Sequence, residues 1–237
     1  SIYKSVEKCF DQKSDCIFTC FLNSGFIASR LSKKYGINAF CECGESTLWS
    51  LNERSRRSAL RDLRHVRGYI SVSQKNTHML VDEKITNIEK IITIPNAVDL
   101  SVFYKRDKSA ARKKLGFPQD LTIGIFVGHF IDRKGPIRVG QATRGVPNLK
   151  MIYIGAGAQE PQGENIVFKG SVKHEELPEY LSAADFFILP TLAEGCCNAI
   201  IEAMACGLPI ISSNMAFNYD ILDRKTAILV DPQNIDE

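Results

Sequence analysis

The feature that most restricts the fold of this chain is an alternation of two periods. Short β-branched and aromatic runs occupy residues 16–22, 38–43, 69–73 and 91–95, then 121–128, 150–154, 165–169, 186–190 and 209–213. Helical patterns lie between them, at 25–35, about 50–65, 76–84, 109–115, 136–143, 174–184 and 198–206. Strands that alternate with helices make βαβ units and parallel sheets. Several of the runs are apolar throughout, as strands covered on both faces are. The expected class is α/β, with two Rossmann-like parallel-sheet domains. Pro95 and Asn96 mark a turn between them. The expected domains are residues 1–98 and 99–237, the second opening a new strand-loop-helix cycle at Leu121.

Composition narrows the function classes. A net charge of +3 on 237 residues gives nucleic acid no support as a partner. No run approaches the roughly 20 apolar residues of a membrane span, and Lys4, Glu7 and Lys8 break the first apolar stretch where a secretory signal would need it whole. Eight cysteines include no CxxC pair, which argues against a zinc site, and most lie in apolar runs, where free cysteine packs as a small hydrophobe. A reduced, cytoplasmic chain without a metal is expected. The pattern at both termini reads as that of a fragment.

In open parallel sheets, ligands bind beyond the carboxyl ends of the strands. Four such ends here carry glycine, charge or a carboxylate: residues 129–135, 155–157, 170–172 and 191–198. Arg133 and Lys134 suit phosphate, the first as a fork and the second as a point charge. Taken alone the pair is equally well a solvated turn. Gly155-Ala-Gly157 suggests a dinucleotide loop, but Glu160 stands where the third glycine belongs. Residues 198–206 form an apolar helix stopped by Gly207 and Pro209, with Glu202 its only charge. All-round apolar character predicts burial, and a buried carboxylate needs a partner. Glu202 therefore either holds a polar ligand or belongs to a structural ion pair. Glu194 precedes that helix, whose free N–H groups would favour an anion.

The string Glu194-Gly-Cys-Cys-Asn-Ala-Ile-Ile-Glu202-Ala-Met-Ala-Cys-Gly207-Leu-Pro209 resembles the E-x7-E motif and its continuation in the group 1, glycogen-synthase-like retaining glycosyltransferases of GT-B fold. Residues 94–99, 127–135 and 229–232 match in order and spacing, over about residues 70–235. The resemblance implies two Rossmann-like domains facing a cleft, the N-terminal acceptor-side one incomplete and the C-terminal one binding a nucleotide-sugar. It implies that Arg133 and Lys134 hold the donor diphosphate, that Glu194 contacts the sugar, and that the amides of Gly195, Cys196, Cys197 and Asn198 orient it. Glu202 would bind the ribose, Gly128 would face the donor, and the backbone near Val172 would face the base. No metal or other cofactor is implied. The acceptor would be a polysaccharide or lipid-linked glycan. A sugar-nucleotide epimerase of the same fold, or a binding module without catalysis, remain open. Two departures stand out. The usual first strand and glycine-rich loop do not precede Cys16, and Cys43 takes the place where the family often has histidine.

Arg54, Arg56, Arg57, Arg61, Arg64 and Arg67 crowd into one predicted helix and its end. They read as a solvated face or, more sharply, as a contact with anionic lipid headgroups. The sharper reading would place the protein on the inner face of the cell membrane.

Overall fold

The computed structural model describes residues 2–11, 13–46 and 60–236. It divides into two compact units, Ser1–Pro95 with Glu194–Cys196, and Asn96–Ala193 with Cys197–Glu237.

The first unit holds a parallel sheet in the order β1 (Cys16–Cys20), β2 (Asn38–Cys43), β3 (Val66–Ser71), β4 (Ile91–Thr93). Helix α1 (Ile2–Cys9) precedes it, α2 (Leu22–Tyr35) crosses from β1 to β2, and α3 (Gln74–Asp82) follows β3. Gly36 ends α2 in the left-handed conformation (φ 73°) that an L side chain rarely takes. Ser73 starts α3, its hydroxyl accepting from the Asn76 amide. The core gathers Leu22, Cys41, Cys43, Leu63, Val66, Tyr69 and Leu80. Of the predicted helix at 50–65, residues 60–63 are helical and the segment 47–59 lies outside the described residues, with Arg54, Arg56 and Arg57 in it.

The second unit carries six parallel strands in the order β10-β9-β8-β5-β6-β7. These are β5 (Thr122–Val127), β6 (Leu149–Ile154), β7 (Ile166–Gly170), β8 (Phe186–Leu189), β9 (Ile210–Ser213) and β10 (Ala227–Val230). Helix α4 (Lys108–Leu115) leads in, α5 (Pro136–Ala142) joins β5 to β6, α6 (Leu177–Ala183) joins β7 to β8, and α7 (Asn198–Ala205) joins β8 to β9. β5 and β6 hold the fully buried Ile123, Ile125, Phe126, Met151, Ile152 and Tyr153, the centre of the larger core. Asp185 binds three elements together. Its carboxylate accepts from the Ile123 amide at 2.7 Å and from Arg112 of α4 and Lys108 at 2.6 Å each. Burial alone would raise its pKa, but those cations and the amide outweigh burial and lower it.

The sheet order places a reversal beside β5. The chain runs β5, β6, β7 in one direction, then returns to lay β8 on the other side of β5. A doubly wound sheet opens a crevice at such a switch point, past the carboxyl ends of the two strands. Here those ends lead into residues 128–135 and 190–198.

Several boundaries differ from the sequence reading. β3 begins three residues before 69, because Val66 points into the core although Arg67 is exposed. β10 was not expected as a strand, since only four residues pair and Ile228 is 62% exposed. α6 starts at Leu177 rather than 174. α7 is not covered all round: Ile200, Glu202 and Ala203 are buried while Met204 faces solvent.

Candidate functional site

At the switch point, residues 132–134 form one turn of 3-10 helix after β5. The Arg133 carbonyl accepts from the Leu192 amide at 2.8 Å, and its guanidinium donates to the Ala193 carbonyl. Arg133 is thus fixed at both ends to the segment that leaves β8. The stem of Lys134 passes over Gly128, where a Cβ would stand 3.5 Å from its Cδ. Its ammonium comes 4.0 Å from Cys197 Sγ. Both cations are half-buried, which weakens solvent screening of their charge.

Cys197 is the N-cap of α7; its thiol makes no cap hydrogen bond, and its carbonyl accepts from the Ile200 and Ile201 amides. The first turn of a helix carries backbone donors and the positive end of the helix dipole. Asn198 begins the helix, and its Oδ1 accepts from the Asn96 side chain at 2.6 Å. One turn on, Glu202 reaches back, and its Oε1 lies 3.0 Å from His174 Nε2. Val172 lies two residues beyond the end of β7. Two basic side chains, a helix start and a carboxylate one turn further make a site suited to a phosphate with a hydroxyl-bearing group beyond it.

Arg133, Lys134, Gly128, Cys197, Asn198, Glu202 and Val172 all lie at this end of one sheet. Glu194, Gly195 and Cys196 belong to the first unit, and Glu194 is buried. The glycines at 155 and 157 have a different use from the one their spacing suggests. A Cβ on Gly155 would stand 2.0 Å from the Gly128 carbonyl oxygen, and one on Gly157 2.4 Å from that of Phe130. Neighbouring backbone, not a ligand, occupies the space that the missing side chains leave.

Sequence reasoning missed His174. It sits in the charged run Lys173-His174-Glu175-Glu176, and nothing in its spacing points toward a helix 28 positions later. Asn96 was read only as a turn residue.

A family model described as glycosyl transferases group 1 matches residues 123–237. Those residues belong to that family. The matched segment begins in β5 and contains Arg133, Lys134, His174 and the whole of α7. Among curated proteins, the chain is 27% identical over 186 residues to the protein proposed as the teichuronic acid biosynthesis glycosyltransferase TuaC of Bacillus subtilis, covering 75% of this chain and 47% of that one. It is 27% identical over 157 residues to the D-inositol 3-phosphate glycosyltransferase of Mycobacteroides abscessus, covering 60% and 35%. The chain thus spans about half, or less, of the curated relatives it matches. Among solved structures, sucrose-phosphate synthase from Thermosynechococcus elongatus superposes with a TM-score of 0.83 at 22% identity, over 99% of this chain and 65% of that one. Anabaena HepE in complex with UDP-glucose gives 0.83 at 17% identity, over 99% and 69%. The two parallel-sheet units have the fold of GT-B glycosyltransferases.

Proposed function

We propose that this group 1 glycosyltransferase chain binds a nucleotide-sugar and belongs to a retaining enzyme. That enzyme moves a hexose to a polysaccharide or lipid-linked glycan acceptor. One observation carries the reading: Arg133 and Lys134 lie beside the start of α7 at the switch point of the sheet, with Glu202 one turn along. A diphosphate fits between the two cations and the helix amides, and the ribose falls toward Glu202. The base lies along the backbone near Val172, and Gly128 leaves room beside Lys134. The family resemblance, rather than the geometry, assigns the sugar to Glu194 and the amides from Gly195 to Asn198. HepE was crystallised with UDP-glucose and with UDP, which favours a UDP-sugar as donor.

In the reaction, the bond between the anomeric carbon and the phosphate oxygen breaks, and negative charge grows on the departing diphosphate. Cations already fixed at that place lower the barrier without reorganising. Arg133, tied to Leu192 and Ala193, is such a cation. The acceptor hydroxyl attacks on the face the phosphate leaves and gives its proton to the departing phosphate oxygen, which retains configuration. Glu194 and Glu202 are not the acid and nucleophile of a glycosidase. Phosphate neutralisation falls to Arg133, Lys134 and the helix, so donor binding needs no divalent ion. The protein works in the cytoplasm.

A binding module without transfer activity is a second reading, favoured by Cys43. It stands fully buried where the family often has histidine.

Calorimetry with UDP in excess EDTA tests the site. Charged hydrogen bonds are worth about 1.5–3 kcal/mol, so Arg133→Ala should weaken binding roughly ten- to a hundred-fold. Unchanged affinity would remove Arg133 from the site, and binding restored only by Mg2+ or Mn2+ would refute the metal-free reading. Release of nucleoside diphosphate that depends on an acceptor separates the transferase from the binding module.

A further inference from the structure

His174 is an exposed histidine that is nevertheless held in place. Its side chain is 70% accessible, whereas that of its partner Glu202 is 12% accessible. Its ring packs on Phe103 at a centroid distance of 5.1 Å and a tilt of 56°. Phe103 itself is buried at 2% and anchored through its amide to the Asp99 carbonyl at 2.9 Å. The backbone of His174 is fixed as well, since its carbonyl accepts from the Leu177 amide that opens α6. An ionised carboxylate only accepts hydrogen bonds, so Nε2 is the donor at 3.0 Å to Glu202 Oε1.

This contact is not a buried structural ion pair, because one partner stands in solvent. Nor is it an incidental surface contact, because the imidazole is clamped by an aromatic ring. What it fixes is the rotamer of a carboxylate on an otherwise apolar helix. A carboxylate offers about four acceptor positions, and His174 takes one. The remainder stay available with their direction set.

We propose that His174 is a positioning residue for ribose recognition. It aims the Glu202 carboxylate at the sugar hydroxyls of a bound nucleoside diphosphate. The inference rests on the function proposed above and adds a residue to that site. Phe103 supports the imidazole, the imidazole orients the carboxylate, and the carboxylate reads the hydroxyls.

The test compares two ligands on the full chain by calorimetry. One is whichever of UDP, GDP or ADP binds the parent most tightly, and the other is its 2′,3′-dideoxy analogue, which lacks the hydroxyls. The parent prefers the ribose form, and Glu202→Gln lowers that preference. Loss of one orienting hydrogen bond lowers the preference in His174→Ala by about five- to ten-fold, while affinity for the dideoxy form changes less than about two-fold. His174→Gln keeps an N–H near the same place and recovers most of the loss. An unchanged preference in His174→Ala overturns the inference. Equal weakening of both ligands does so too, since it reports a structural role, and so does a stronger preference, which makes His174 a competitor. A parent that binds none of the three diphosphates removes the functional reading and this inference with it. Binding by the parent with no effect at position 174 removes the inference alone.

Discussion

Cys43 shows what a single position can and cannot do. It ends β2 fully buried, with the Asn76 side-chain amide donating to its carbonyl at 3.0 Å and lying 3.8 Å from its sulfur. Burial pushes the neighbouring Cys41 thiol up to about 12, and raises that of Cys43 in the same way. The thiolate is the reactive form, so neither residue should react at neutral pH. Cys9, Cys16 and Cys20 are exposed. Cys20 is held back by its hydrogen bond to Glu42, the first cause of its raised pKa. Brief alkylation followed by mass mapping should label Cys9 and Cys16 first, Cys20 more slowly, and Cys41 and Cys43 only after denaturant. Labelling of Cys43 in the native protein would contradict this burial. Glu202 could be singled out in the sequence because it interrupts an apolar helix. His174 could not, because an exposed histidine among lysine and glutamates has no local signature. Its role comes from Phe103 and Glu202, which only the folded chain brings near.

Among the elements, the alternation of strands and helices was legible, and so was the loop after β5. The order of the strands was legible only through the Rossmann-like reading. A residue pattern identifies a strand but not its neighbour, so nothing in β8 itself places it beside β5 rather than beside β7. The use of Gly155 was also hidden. Its spacing suggested a phosphate loop, yet its φ of 149° and its approach to the Gly128 carbonyl serve loop-on-loop packing. The Phe130 amide donates to the Ala156 carbonyl at 2.8 Å in the same seam. An alanine at 155 would combine backbone strain of about 1–3 kcal/mol with a clash against backbone that cannot rotate away. Gly155→Ala should therefore destabilise the protein by about 3 kcal/mol, read from urea unfolding. UDP affinity at low temperature should fall as well, because Gly128 precedes the loop bearing Arg133 and Lys134. A stable variant with weakened UDP binding would instead return Gly155 to the ligand.

Across the whole molecule, charge is nearly balanced at +3, so any surface attraction depends on where the cations lie. No helix among the described residues is long and apolar enough to cross a membrane. Arg61, Arg64 and Arg67 are exposed at three-residue spacing, while Leu63 and Val66 between them are buried. The apolar residues thus turn inward and the arginines outward. That arrangement serves a solvated face and a lipid-facing one equally well, and only an anionic surface distinguishes them. A basic residue near such a surface contributes about 1 kcal/mol. Arg61→Glu with Arg64→Glu removes two such contributions and adds two repulsions. If the segment contacts lipid, the double variant should lose flotation with vesicles containing phosphatidylglycerol. The parent should float with those vesicles at low salt, release at about 0.5 M salt as the Debye length shrinks, and ignore neutral phosphatidylcholine vesicles. UDP affinity should be the same in both proteins, since neither arginine belongs to the β5–β8 site. Equal flotation of the parent with neutral and anionic vesicles would leave these arginines as a solvated face.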